Sequence, residues 1–219
     1  MFFNIHTHHL SSSNDTIELY NQYPLHWNHN NNLFSIGIHP IYINEELIDE
    51  ELKIIKQKIS TENCLAIGEI GLDKLCAIDF DLQITVFKQQ LQIAEEHKIP
   101  VIIHSVRAYQ EILHIRKSMK ITIPFIFHGF NKNEQILHQI LQQNCYVSFG
   151  KNLLQNKNLQ TIFANLFPNN FFIENDASEI SIQDIYTFAS DIRKVSIKEL
   201  QLQQADNWKN VLGYEVQSQ

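Results

Sequence analysis

Apolar positions follow two alternating rhythms along this chain. Short apolar runs occur at residues 2–6 (FFNIH), 33–39 (LFSIGIH), 64–69 (CLAIGE), 101–104 (VIIH), 125–128 (FIFH), 145–149 (CYVSF) and 171–174 (FFIE). Between most of them lie stretches with apolar residues at i, i+3 and i+4, among them ITVFKQQLQIAEEH, AYQEILHIRKSM and NEQILHQILQQN. That spacing places one apolar stripe on a helix. Continuously apolar strands that alternate with helices build a parallel sheet covered on both faces. Residues 181–213 read as two helices, the second opened by a Ser196 to Glu199 capping box and stopped by Gly213. Seven strands are one short of a closed barrel. The eighth is expected to be short, either before the last helices or within 150–170. The predicted fold is therefore α/β, a (β/α)8 TIM-type barrel with one short or atypical strand; an open doubly wound sheet is the alternative.

The polar residues that close these runs favour the barrel. The first run leads to His6 and His8, the second to His39, the third to Glu69, the fourth to His104, the fifth to His128 and the seventh to Asp176. Strands that end in such residues describe the C-terminal rim of a parallel barrel, where active sites are built. In a strand, residues i and i+2 share a face, so His6 and His8 can reach one ion together. Each residue alone has an ordinary explanation. His6-Thr7-His8-His9 can be a polar strand exit, His104 and His128 core histidines, His39 a structural residue before Pro40, and Asp176 an N-cap for a helix starting at Ser178 or Ser181. Jointly they read as a metal site. His6, His8, His104, His128, Glu69 and Asp176 can hold two divalent cations if one carboxylate bridges, and Glu69 is the expected bridge. Two ions about 3.5–4 Å apart can bind a phosphate and activate water. The nitrogen and oxygen donors suit Zn, Mn, Fe or Ni, while Mg favours more oxygen; one or two ions per chain are expected, of Mg, Mn, Zn or a similar metal.

Composition narrows the partners. The chain has 219 residues, is 44% hydrophobic and carries a formal charge of -7. A single domain over 1–219 is expected. The acidic balance argues against a broad basic surface for nucleic acid, so any phosphate substrate is drawn to bound cations. With no long apolar run and no signal-peptide pattern, the expectation is a cytoplasmic protein without a membrane partner, and a monomer. Cys64, Cys76 and Cys145 form no CxxC pair and read as reduced thiols. HWNHNNN, 26–32, reads as a polar loop. His9, His26, His29, His97, His114 and His138 lie in polar or helical surroundings and are expected to face solvent.

Taken in order, His-x-His, GIHP, AIGEIGLD, VFKQQLQIA, IPVIIHS, HGF, YVSFG and ENDA resemble the TatD-type metal-dependent deoxyribonucleases of the amidohydrolase superfamily. The resemblance runs from Phe3 to about Gly213. It implies a β/α barrel hydrolase that degrades DNA with divalent metals, exonuclease-like, acting on a strand end or a small phosphoester. It implies His6, His8, Glu69 and Asp176 around one metal and Glu69, His104 and His128 around another. Asp176 would orient or deprotonate the attacking water, His39 would contact the substrate phosphate, and Asp73 would hold a histidine in its tautomer. There are departures. Asn4 stands where the family has Asp, Asn175 and Ser178 replace the usual Thr and Pro, and Arg107 falls one position late after His104. The chain is also shorter than most members, with trimmed rim loops expected. Catalytic readings therefore centre on Asp176, Glu69 and His39, with Asp73, Arg107 and Asn4 in support. A hydrolase of a small amide, ester or phosphoester, or a non-catalytic metal-binding barrel, are the competing expectations.

Overall fold

The structure, a computed structural model, describes residues 1–28 and 32–216. Eight strands form one sheet in chain order, β1 (Phe2–Thr7), β2 (Thr16–Gln22), β3 (Phe34–Ile36), β4 (Cys64–Asp73), β5 (Val101–Val106), β6 (Phe125–Phe127), β7 (Tyr146–Phe149) and β8 (Phe171–Ile173). This is the (β/α)8 class. Helices α1 (Ile48–Lys58), α2 (Phe80–His97), α3 (Tyr109–Ser118), α4 (Glu134–Leu141), α5 (Lys157–Asn165), α6 (Ile182–Arg193) and α7 (Ile197–Leu212) follow strands β3 to β8. No described helix is long and apolar enough to cross a membrane.

The eighth strand is not where the sequence reading put it. Segment 150–170 holds two 3-10 turns and α5, whereas the additional strand is β2. Its sequence TIELYNQ alternates Ile17 and Leu19 with Glu18 and Tyr20, and Glu18, Asn21 and Gln22 are also buried. Buried polar groups break the apolar run that marks the other strands. The period of two was nonetheless present as a signal.

Two compact units divide the chain, residues 1–20 with 128–219 and residues 21–127. In the first, β1 pairs with β2 in parallel, and Thr7 bridges to Asp176 just past β8. Its core is aromatic: the Phe163 ring lies 4.9 Å from Phe149 and 4.8 Å from Phe171. The Tyr186 hydroxyl of α6 donates to Phe3 O and accepts from Phe3 N, so burying it costs no unpaired group. The expected capping box at Ser196 and Glu199 opens α7, and Gly213, at φ 68°, closes it.

The second unit carries β3 to β6 and helices α1 to α3. β4 lies parallel to both β3 and β5, with Gly71 opposite His104. A side chain at Gly71 would place its Cβ 1.9 Å from His104 O. Only glycine allows this approach, and it brings the carboxylates of β4 beside the imidazole of β5.

Cys64 and Cys145 are buried and Cys76 is partly exposed, all as free thiols. Burial pushes the Cys64 thiol up to about 12, which makes it inert. His9, His26, His97, His114 and His138 are exposed. His29, and residues 29–31 of the polar loop, lie outside the described residues.

Candidate metal centre

In the first unit the end of β1 and the turn after β8 are joined by backbone. Asp176 N donates to His6 O at 3.1 Å, and His8 N donates to Asp176 O at 3.3 Å. Asp176 has φ 54°, a left-handed conformation that Asp tolerates better than most residues. It does not cap α6; Ser181 does. The result gathers His6, His8 and Asp176, with Asp176 Oδ1 3.7 Å from His6 Nε2 and 3.4 Å from His8 Nε2. These separations are too long for good N–H to O hydrogen bonds. They are close to the ligand-to-ligand distance of about 3.4 Å that tetrahedral bonds near 2.1 Å imply. Two imidazoles and a carboxylate at this spacing fit a divalent cation.

His128, just past β6, lies with its ring 4.4 Å from that of His6 and its Nδ1 3.7 Å from Glu174 Oε1. Glu174 is 1% exposed and accepts from Ser148 Oγ. Glu174 was missed in the sequence, where it reads merely as the polar end of FFIE. Glu18 was missed with its strand. It accepts from Asn4 Nδ2 through Oε1 and from Ser11 N and Oγ through Oε2, tying the segment after His8 to β2.

In the second unit Glu69, His39 and His104 converge. The peptide bond entering Glu69 is cis. His39 Nδ1 accepts from Ile41 N at 3.2 Å, because His39 caps the 3-10 turn Pro40–Tyr42. A nitrogen that accepts carries no proton, so the proton of the neutral ring is on Nε2, which donates to Glu69 Oε1 at 3.2 Å. His39 is thereby fixed as a donor rather than as a ligand through Nε2. His104 sits between carboxylates, its Nδ1 2.6 Å from Glu69 Oε1 and its Nε2 3.4 Å from Asp73 Oδ2. A histidine with a carboxylate on one nitrogen is oriented to offer the other. Arg107, at φ 55°, is exposed at the end of β5 and joins neither group.

Two glutamines of α2 position this second group, and their role was not legible in the sequence. Gln83 accepts from Asp73 N and donates to Asp73 O, at 2.8 and 3.1 Å. Gln90, two turns on, accepts from Ile38 N at 2.7 Å and donates to Ile38 O at 3.1 Å. Each is about 1% exposed and satisfies the backbone N–H and C=O of one residue. Asn21 of β2 holds Glu69 by its backbone, accepting from Glu69 N at 2.7 Å.

A metal-ligand geometry at strand ends of a (β/α)8 fold defines a class of proteins, and comparison with known proteins gives the family. The model of TatD related DNases matches residues 2–212, and the chain belongs to that family. An uncharacterized metal-dependent hydrolase of Bacillus subtilis, YabD, is 32% identical over 118 residues, 53% of this chain and 46% of that protein. The Escherichia coli hydrolase YcfH is 25% identical over 195 residues, covering 81% of this chain and 72% of that one. The chain thus matches under half the length of the Bacillus relative. The solved E. coli TatD homolog YjjV superposes with a TM-score of 0.82 over 97% of this chain and 98% of its own, at 17% identity, which shows the shared fold.

Proposed function

We propose that this chain is a divalent-metal-dependent phosphodiesterase that hydrolyses DNA from a strand end. The observation that carries the reading is the His6, His8 and Asp176 group, whose donor atoms stand at ligand spacing rather than hydrogen-bond spacing. A putative deoxyribonuclease TATDN1 homolog of Vairimorpha ceranae, 25% identical over 156 residues, supports the choice of DNA. His6 and His8 would hold a cation with Asp176, and His104 with Glu69 would hold a second. When bound, such cations supply Lewis acidity toward phosphate oxygens and make water a stronger acid.

The chain's own residues do the rest. The Asp176 side chain is one third exposed, so water reaches it from solvent. One of its oxygens faces the histidines, and the carboxylate takes the proton of the water whose oxygen bonds to phosphorus, while the scissile P–O bond breaks and the leaving sugar oxygen takes a proton from solvent or from that carboxyl. Glu69 accepts from His39 and keeps that imidazole in its donor tautomer, and Asp73 orients His104. The acidic overall charge fits capture of one strand end better than tracking along a duplex.

The test is a substrate panel with Mn or Zn restored to metal-stripped protein: single-stranded DNA, a nitrophenyl phosphodiester, a carboxylic ester and a lactone. The reading predicts that DNA and the phosphodiester are cleaved and the ester and lactone are not. Cleavage of ester or lactone alone would overturn it and select the small-substrate hydrolase reading, to which an exposed Arg107 outside both groups lends some support.

A further inference from the structure

A cavity of about 520 Å³ opens in the second unit beside the imidazole of His39. Tyr23, Leu25, Ile38, Tyr42, Leu47 and Glu51 form much of its wall. The volume is that of a small-molecule pocket, and the lining is mainly apolar and aromatic. The rings of Tyr23 and Tyr42 meet edge to face at 5.2 Å, and Tyr42 also lies 5.6 Å from the His39 ring. The pocket therefore shares His39 with the group that Glu69 and His104 complete.

Glu51 is out of place for folding alone. On α1 it falls between Ile48 and Ile55 on the buried stripe, where the helical pattern calls for an apolar residue. It is 7% exposed, and its Oε2 has no hydrogen-bond partner among the described residues. A buried carboxylate oxygen without a donor is costly. Burial, with Glu50 beside it, pushes the carboxyl up to about 7, as expected for an acid that lacks donors. Of the other polar side chains of the wall, Asn44 accepts from Glu46 N and His39 donates to Glu69.

We infer that this cavity is a nucleobase subsite, in which a guanine stacks on the tyrosine wall and its N1–H and N2–H edge donates to Glu51. The inference rests on the reading of the chain as a DNA phosphodiesterase, because a base lies within a few bonds of the phosphate that a cation held by Glu69 and His104, beside His39, would draw in. Guanine is the base that offers two adjacent donors to a carboxylate. Adenine and cytosine set an acceptor beside their donor, and thymine flanks its single N–H with carbonyls.

The experiment measures binding of the four deoxynucleosides and their 5′-monophosphates to metal-free protein by titration calorimetry, for the parent, Glu51→Gln and Tyr42→Ala. Deoxyguanosine should bind at least tenfold more tightly than thymidine. Glu51→Gln should erase that preference, and Tyr42→Ala, at an exposed position, should weaken all four bases alike. Equal binding of the four bases by the parent, or an unchanged preference in Glu51→Gln, would overturn the subsite whether or not DNA is cleaved. Conversely, Glu51-dependent guanine binding in a protein that cleaves no DNA would sink the phosphodiesterase reading and leave the pocket standing. Should Glu51→Gln fail to fold, the parent's base preference alone decides.

Discussion

Asn4 and Asn175, two departures from the family pattern, prove to be one structural unit. Asn4 Nδ2 donates to Asn175 Oδ1 at 2.9 Å and to Glu18 Oε1 at 3.1 Å, while Asn4 Oδ1 accepts from Asn175 N at 3.1 Å. A carboxylate at position 4 would face two acceptors, one of them charged. Asn4→Asp should therefore destabilise the metal-free protein by about 2–3 kcal/mol in urea unfolding. Adding Asn175→Thr, which brings a hydroxyl donor, should recover part of the loss, with a coupling of about 1 kcal/mol; strict additivity would show that the two sites are independent. Glu51 gives a second prediction at this scale. Its folded pKa, about 7, lies above its ordinary 4.5. The proton is held more tightly in the folded state, so this contribution to stability is complete below about pH 4.5 and is lost as pH rises to about 7. Melting temperatures across pH 4–8 should show Glu51→Gln lacking that decline; parallel curves for parent and variant would refute it.

At the level of elements, legibility divided by how each residue announces itself. His6, His8 and Asp176, which meet in the first unit, and His39, Glu69 and His104, which meet in the second, each close or follow an apolar run, and that position is what made them legible. The segment β2 was not, because Glu18, Asn21 and Gln22 are buried polar residues whose partners, Asn4, Glu69 and Asn28 among them, lie in other elements and loops that no local pattern reveals. The same holds for Gln83 and Gln90, which a helical pattern reads only as polar positions, although their inward side chains clamp the peptides of Asp73 and Ile38. Gln90→Met keeps the volume but strands the N–H and C=O of Ile38, one residue before His39. It should cost about 2–5 kcal/mol, the penalty for two buried unpaired groups. Gln90→Glu, which retains the acceptor for Ile38 N, should fall between. Equal stability of Gln90→Met and the parent in chemical denaturation would remove the clamp from the account.

Across the whole molecule, the net charge of -7 and the donor groups at the strand ends point the same way: a phosphate substrate needs bound cations. Binding to the folded state alone stabilises by about 2.7 kcal/mol at a hundredfold excess over Kd. For a chain of this length that is a rise of about 5–10 °C in melting temperature. Zn or Mn should produce it in the parent, and His8→Ala, with its side chain partly exposed and outside the core, should lose most of it. An equal rise in the variant would place the ion elsewhere.

The most direct measurement is hydrolysis of end-labelled single-stranded DNA by metal-stripped protein, with Mg, Mn or Zn restored in turn and Asp176→Asn assayed alongside. The account predicts no cleavage without metal, cleavage with at least one of the three, and a loss of about a hundredfold or more in the variant. Cleavage that persists at parental rate in Asp176→Asn, or metal binding that supports no cleavage of DNA at all, would contradict it.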